Sequence, residues 1–337
     1  KESKVKFVGG CVRKAISGEI IDDIDLATTF NPEEIKKKLI KKNIKIIDTG
    51  TLHGTITAIL NKKKFEITTL RKDIETDGRH ANVEFSANWL QDACRRDFTI
   101  NAIYADIEGR IFDPLNGISD LQNGIIKFIG VAEERIQEDY LRILRYFRFF
   151  VQYNKTNYDK DITQSIKKHI NGLNKISNER ILDELKKILK LKHVYKLFSH
   201  KILKDIFLNI FPQFRYFERL KNINNLNEKL RVKYDDYLIL ALLIIDQTND
   251  YEYFCHKYKI SNNIKNRFKN ISLNFENLKN VKIFSKESIK KLIYFSNKDY
   301  VMDLLLFAIC TNSKTKTLKI EKLKKYIQNF KAPKFPI

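Results

Sequence analysis

Gly9-Gly10, followed about a dozen residues later by Asp23-Ile24-Asp25, constrains this chain more than any other stretch. The glycines lie in Lys6-Phe7-Val8-Gly9-Gly10-Cys11-Val12-Arg13 and the acids in Asp22-Asp23-Ile24-Asp25-Leu26-Ala27-Thr28. In order, these read as a short apolar strand, a glycine turn, a helix start and a second strand carrying carboxylates. Residues at i and i+2 of a strand share a face, so Asp23 and Asp25 are expected side by side. Two carboxylates so placed repel unless a positive charge lies between them. A hard divalent cation such as Mg2+ suits oxygen donors of this kind. Glycines let backbone amides approach an anion closely, and Arg13 lies three residues past Gly10. Together they suggest a triphosphate beside a metal, the equipment of phosphoryl or nucleotidyl transfer. Taken singly, a Gly-Gly is an ordinary turn and an Asp-x-Asp an ordinary solvated strand end.

At 337 residues the chain is expected to form two or more domains. Its 43% hydrophobic and 12% aromatic content can fill real cores. The longest apolar run, Tyr237 to Ile245, is too short to span a membrane, which takes about 18 residues, and is expected to be a buried helix. No signal-peptide pattern opens the sequence. It starts at Lys1 rather than Met, so an N-terminal piece is expected to be missing from this numbering. Cys11, Cys94, Cys255 and Cys310 have neither metal-type nor disulfide-type spacing, which fits a reducing, cytoplasmic compartment and argues against zinc. The net charge of +22 is uneven: residues 1–150 balance at +2 and residues 151–337 at +20, mostly from lysine. A basic second half suits a polyanionic partner; a compositional bias toward Lys, Ile and Asn is the competing explanation.

Along the chain, Asn31-Pro32-Glu33-Glu34 carries a cap, an N-terminal proline and first-turn acids, and is expected to start a helix. Strands are expected at 45–48, 55–60 and 65–70, with a polar hairpin turn at 61–64, giving a small mixed sheet with helices. Glu66 alternates with Phe65 and Ile67; it is either a solvent-facing strand residue or a third carboxylate near the Asp23/Asp25 pair. Residues 71–80 (RKDIETDGRH) show no apolar period and are expected to be a charged, mobile loop. In Asp92-Ala93-Cys94-Arg95-Arg96-Asp97, buried arginines need partners. One Arg–Asp pair would satisfy one arginine and leave the other for phosphate. Ile111 to Gly117 is expected to close the sheet. A helical period then begins, and Arg135 to Phe149 reads as one helix. On it Asp139, Arg142, Arg145 and Arg148 recur every third residue across one broad face. An acid and an arginine so spaced can meet the edge of a base, and the later arginines suit phosphates; routine surface ion pairs are the alternative. Beyond residue 150 the chain is expected to be helical. Ser177 caps a helix start, and further helices are expected near 228–246, 251–270, 284–295, 299–311 and 317–330.

Five stretches in this order resemble the class II tRNA nucleotidyltransferases, the CCA-adding enzymes, whose relatives include bacterial poly(A) polymerases. They are VGGCVR (8–13) with DIDLAT (23–28), RKDIETDGRHA (71–81), RRDFTINAI (95–103), EDYLRILRYFRF (138–149) and SNERILDEL (177–185). The resemblance implies an α+β fold: a polymerase-β-like nucleotidyltransferase head with a mixed sheet and helices, followed by an all-α neck, body and tail. The expected division is a catalytic head at 1–130, a neck with a nucleotide-selecting helix at 131–220, and a tRNA-binding body and tail at 221–337. The implied reaction adds C, C and A to tRNA 3′ ends from CTP and ATP, without a nucleic-acid template, and releases pyrophosphate. Asp23 and Asp25 would hold Mg2+, with Glu66 the third acid. Gly9, Gly10, Arg13 and Arg96 would contact the nucleotide, as would Asp139, Arg142, Arg145 and Arg148, with Asp139 and Arg142 selecting the base.

Position 14 departs from the family. Relatives continue VGGxVR with aspartate, and here Lys14 follows Arg13. The intact aspartates still imply activity. Poly(A) synthesis, A-only or CC-only addition remain open within the class, and a non-catalytic RNA-binding protein outside it. The retained 71–80 loop argues against a CC-only enzyme. The sequence leaves oligomeric state undetermined and implies no membrane association.

Overall fold

The computed structural model describes residues 3–50, 54–76, 81–223, 235–312, 314–315 and 319–330. The chain divides into two compact units, Lys1–Ile176 and Ser177–Ile337. The first is built on a mixed sheet of order β3-β4-β5-β2-β1-β8-β9 among the described residues. The strands are β1 (Val5–Val8), β2 (Ile24–Thr28), β3 (Lys45–Gly50), β4 (Thr55–Leu60), β5 (Lys63–Thr69), β8 (Tyr104–Ala105) and β9 (Ile111–Phe112). The β2–β5 pair is parallel, and its neighbours are antiparallel. The β4–β5 turn is tight because Asn61 and Lys62 both take positive φ, 50° and 64°, the geometry that follows strand twist in a two-residue hairpin.

Helices pack on this sheet for local reasons visible in the residues. α1 (Gly10–Ile16) leaves β1 through Gly9, whose φ of 68° suits glycine. α2 (Pro32–Lys41) starts with a full capping box between Asn31 and Glu34. α3 (Trp89–Cys94) is capped by Asn88, which accepts from the Leu90 and Gln91 amides. Val8, Ala27, Leu70, Trp89, Ala93, Ala102, Tyr104 and Ile129 form the head's core. Lys6 is buried with them, its ammonium 3.9 Å from the Trp89 ring centroid.

Residues 71–76 are not a loop. Arg71–Thr76 (β6) pairs with Ala81–Phe85 (β7) as a separate two-stranded sheet, with a bulge between Asp73 and Glu75; 77–80 lie outside the described residues. In the sequence, Ile74 is the one apolar residue of 71–76, so this stretch carries no apolar alternation to read.

After α4 (Gly117–Asn123) come α5 (Ala132–Glu138) and α6 (Leu141–Tyr153). The helix expected from 135 to 149 is therefore two. Asp139 is extended (φ −149°, ψ 103°), and its carboxylate accepts the Leu141 amide at 3.1 Å. A short acid at the junction competes for helical amides and starts a new helix instead of continuing the old one. α7 (Lys160–His169) and a 3-10 turn (Ile170–Lys175) end the first unit.

The second unit is helical. α8 (Asn178–Leu189) begins at the Ser177 cap, and the apolar run forms the buried helix Asp236–Ile244. The expected 251–270 helix is two, Asp250–Lys257 and Asn262–Leu273, parted at Lys259 (φ 49°). Helices Lys286–Phe295, Lys298–Thr311 and Ile320–Asn329 follow. Among the described residues no helix is long and apolar enough to cross a membrane.

Candidate active site

The carboxylates gather where two parallel strands meet. Asp25 on β2 stands directly beside Glu66 on β5, so both side chains leave the same face. Asp23 lies one residue before β2 begins, exposed in the approach to the strand instead of in it. Burial raises the Asp25 carboxyl above its usual range, and Glu66 and Asp23 push it further, while Arg96 pulls it down. All three acids and Arg96 thus share one field. Among the described residues no three His, Cys, Asp or Glu side chains converge as a ready-made metal cage. Crowded, partly open carboxylates fit an ion such as Mg2+, which takes one or two protein carboxylates and completes its shell with water and substrate phosphate.

The glycine turn adjoins this face. The Cys11 thiol donates to the carbonyls of Val8 (3.3 Å) and Asp25 (3.6 Å), tying α1 to both strands. A side chain at Gly9 would stand 3.7 Å from Arg96 Nη1 and 3.6 Å from the Asn101 carbonyl oxygen. Arg96 is therefore at the turn, and its electrostatic pull on Asp25 spans the turn and the carboxylates.

Both arginines of the 95–96 pair are held by one acid, which the one-pair expectation did not foresee. Asp92 is 1% exposed. It accepts Arg95 Nε (2.8 Å), Arg96 Nη2 (2.9 Å) and the Tyr104 hydroxyl (2.7 Å). Burial alone would raise Asp92, but Arg96 and Arg95 outweigh it and hold the carboxyl at about 2. The Arg96 guanidinium is desolvated, yet Asp92 and Tyr104 keep its charge secure. The i, i+3 and i, i+4 spacings from Asp92 across α3 were the available signal.

Arg13 is buried. Its Nη1 donates to Asn101 Oδ1, and its guanidinium lies 4.9 Å from the Phe149 ring and 5.2 Å from the Tyr153 ring on α6. Asn101 Nδ2 donates to Asp97 (2.9 Å), and Asp97 forms a 2.7 Å ion pair with Arg145 of α6. Burial would raise Asp97, but Arg145, Asn101 and Arg142 bring it below its usual range. Arg142 Nη1 donates to Glu138 (2.6 Å) and to the Arg135 carbonyl (2.8 Å). Arg135 in turn donates to the carbonyls of Arg95 (2.6 Å) and Arg96 (2.7 Å). Arg148 lies 4.2 Å from the Phe149 ring. Of the expected site residues, Asp25, Glu66, Gly9, Arg13, Arg96, Arg142 and Arg145 thus neighbour one another by way of Asn101 and Asp97. Asp139 stands at the head of α6, beside its arginines in sequence but off their helix. Asp92, Asp97, Asn101, Tyr104 and Glu138 hold the site arginines and were not among the expected site residues.

Lys14 forms an ion pair with Asp22, and Asp22 Oδ1 accepts the Asp23 amide at 3.2 Å. Lysine here therefore braces the approach to β2.

Residues 5–127 match the model of the poly A polymerase head domain, and 157–217 match a probable RNA and SrmB- binding site of polymerase A. The human protein named CCA tRNA nucleotidyltransferase 1, mitochondrial, is 47% identical over 197 residues, covering 58% of this chain and 45% of that protein. The chain thus spans about half the length of that relative. A CCA-adding enzyme of Staphylococcus epidermidis is 34% identical over 308 residues, covering 90% of this chain and 73% of the relative. The fold is shared with a Bacillus stearothermophilus CCA-adding enzyme solved with CTP (TM-score 0.70, 23% identity, 96% of this chain and 77% of that one). It is also shared with a tRNA nucleotidyltransferase solved with a primer tRNA and an ATP analog (TM-score 0.73, 22% identity, 96% and 94%). On the staphylococcal relative's identity across most of both chains, this chain belongs to the CCA-adding enzyme family.

Proposed function

We propose that the protein adds C, C and A to tRNA 3′ ends from CTP and ATP, releasing pyrophosphate. The observation that carries this reading is the run of neighbouring residues from the Asp25/Glu66 face past the Gly9 turn and Asn101 to Asp97 and Arg145. It supports reading the carboxylate face, the glycine turn and the arginine-bearing helix as parts of one site. Head (1–130), neck (131–220) and body with tail (221–337) would divide catalysis, base selection and tRNA binding. Relatives are named for CCA addition, and solved neighbours hold CTP or tRNA.

Asp23 and Asp25 would hold Mg2+, with Glu66 beside them. When bound, the ion would supply positive charge against the phosphate oxygens and ease loss of the tRNA 3′-hydroxyl proton. Arg96, fixed by Asp92 and Tyr104, would meet the triphosphate over the open Gly9-Gly10 backbone without having to reorganise. Arg13, pinned between Asn101 and two aromatic rings, would hold the turn against α6 and reach the nucleotide through Nη2, its nitrogen beside Gly10. Arg145 and Arg148 would favour phosphate at the other side. Asp139 as acceptor and Arg142 as donor would complement the Watson–Crick edge of C or A, and a poorly paired base would leave buried polar groups unsatisfied.

The basic second half would hold tRNA phosphates, so affinity should fall steeply with salt. A cytoplasmic location fits the cysteines, all free among the described residues, although the human and mouse relatives are named mitochondrial. The test is to incubate the protein with a tRNA ending before CCA, with CTP alone, ATP alone and both. Extension by two C and one A supports the reading. Long A tails would point to poly(A) synthesis, a single A to A-only addition, and no extension under Mg2+ to a non-catalytic RNA-binding protein.

A further inference from the structure

Gly172 has no conformational reason to be glycine. Its φ lies outside the left-handed region, so any side chain could adopt its backbone. Space is the reason. A Cβ there would stand 2.1 Å from both Cδ1 and Cε1 of Tyr140 and 2.5 Å from Cγ. The clash runs along one ring edge down to Cγ, close to the backbone, so the ring cannot yield as cheaply as the tip of a lysine would. The ammonium of Lys175 lies 5.6 Å from the same ring.

Tyr140 occupies a sensitive position. It is the last residue before α6, between Asp139 and the helix carrying Arg142, Arg145 and Arg148. The Asp139 carbonyl accepts the Arg142 amide (3.0 Å), the Tyr140 carbonyl accepts the Ile143 amide (3.1 Å), and the Asp139 carboxylate accepts the Leu141 amide (3.1 Å). The first turn of α6 therefore moves with Tyr140. The corner is braced from outside as well. Glu133 of α5 pairs with Lys168 (2.6 Å) and His169 (2.9 Å) at the end of α7, just before the turn that holds Gly172.

We propose that Gly172 is a specificity-determining positioning residue: the space left by its missing side chain seats the Tyr140 ring, and that seat sets where Asp139 and the first turn of α6 meet the incoming base. This rests on the base-selecting role given above to Asp139 and Arg142. Gly172 touches no substrate; it acts through Tyr140. A displaced corner lowers the penalty on a wrong base while leaving the carboxylate face and the basic surface as they were.

The experiment uses the full chain and measures incorporation of CTP against UTP on tRNA ending before CCA, and of ATP against GTP on tRNA ending in CC. In Gly172→Ala, folded by circular dichroism, both ratios should fall roughly tenfold, the worth of about one well-made hydrogen bond. The KM for CTP should rise while tRNA affinity stays unchanged. Tyr140→Leu should lose selectivity similarly and decides the matter if Gly172→Ala does not fold. The double variant should be no worse than Tyr140→Leu alone, because leucine leaves room for the methyl. Unchanged ratios in folded Gly172→Ala, or in Tyr140→Leu, overturn the proposal. Asp139→Ala separates the two layers: unchanged selectivity there refutes base reading by Asp139, whereas lost selectivity there with none lost in Gly172→Ala refutes only the seat.

Discussion

The two units pair their buried and half-buried arginines for different ends. In the first, Arg13, Arg95, Arg96, Arg135, Arg142 and Arg145 all find partners, and Arg96 ends at the glycine turn beside a carboxylate face. In the second, Arg267 ties three helices together beside a cavity that Asp235, Asp303 and Asp299 also line. It donates Nε and Nη2 to Asp303 (both 2.7 Å) and Nη1 to Asp235 (2.5 Å). Those bonds join the helix Asn262–Leu273 to the helix Lys298–Thr311 and to the cap of Asp236–Ile244, and they hold the Arg267 charge firmly. The lesson is that pairing alone does not set two half-buried arginines apart: Arg96 adjoins a glycine turn and a carboxylate face, whereas Arg267 spends three nitrogens on joining helices.

Breaking each cluster should separate them. The largest loss of stability is expected for Asp92→Ala. It strands two guanidinium groups with little exposure, at a cost of about 3–5 kcal/mol by thermal or denaturant unfolding. Acid should report the same carboxyl. Its folded pKa is depressed to about 2 from the usual 3.8, so its stabilisation is complete above about pH 4 and disappears as pH falls through 2. That amounts to about 2 kcal/mol, and Asp92→Asn should lose this acid-sensitive part of the unfolding profile. Asp92→Asn should also raise the KM for CTP and ATP, because Arg96 loses its brace.

Arg267→Met should cost a smaller but clear amount, roughly 2–4 kcal/mol, and Asp303→Leu added to it should recover much of the loss. Nucleotide KM should not move in either. A changed KM would mean that the second unit's cluster also serves the nucleotide, and the contrast between the units would fail. The smallest effect is expected at Lys14. Its pair with Asp22 is largely in solvent on the acid's side, so Lys14→Ala should cost below about 1 kcal/mol and reduce transfer only modestly. Loss of transfer comparable to that of an aspartate variant would show position 14 to be part of the site.

How much could be read beforehand follows the same division. The glycine turn, the Asp25 strand, the Asn31 and Ser177 caps and the buried Tyr237–Ile245 run all carry local signals, and each formed where expected. The misses were places where the deciding contact is distant or leaves no period. Of the β6–β7 pair, β7 alternates apolar and polar residues but β6, reading Arg-Lys-Asp-Ile-Glu-Thr, does not. The break at Asp139 depends on one carboxylate choosing a helix amide, within a run whose apolar spacing continues through it. Asp92 serving two arginines at once needed α3 to be known as a helix before its spacing meant anything. The seat of Tyr140 on Gly172 joins residues 32 apart and is invisible until the chain folds.

Asp23→Ala tests the account most directly, with nucleotide transfer and tRNA affinity measured on the same preparation. Transfer should fall by at least about a thousandfold, as expected when a metal's carboxylate is removed from phosphoryl chemistry, while tRNA affinity stays within about twofold because no phosphate contact is lost. Undiminished transfer in that variant would contradict the assignment of the carboxylate face as the catalytic centre.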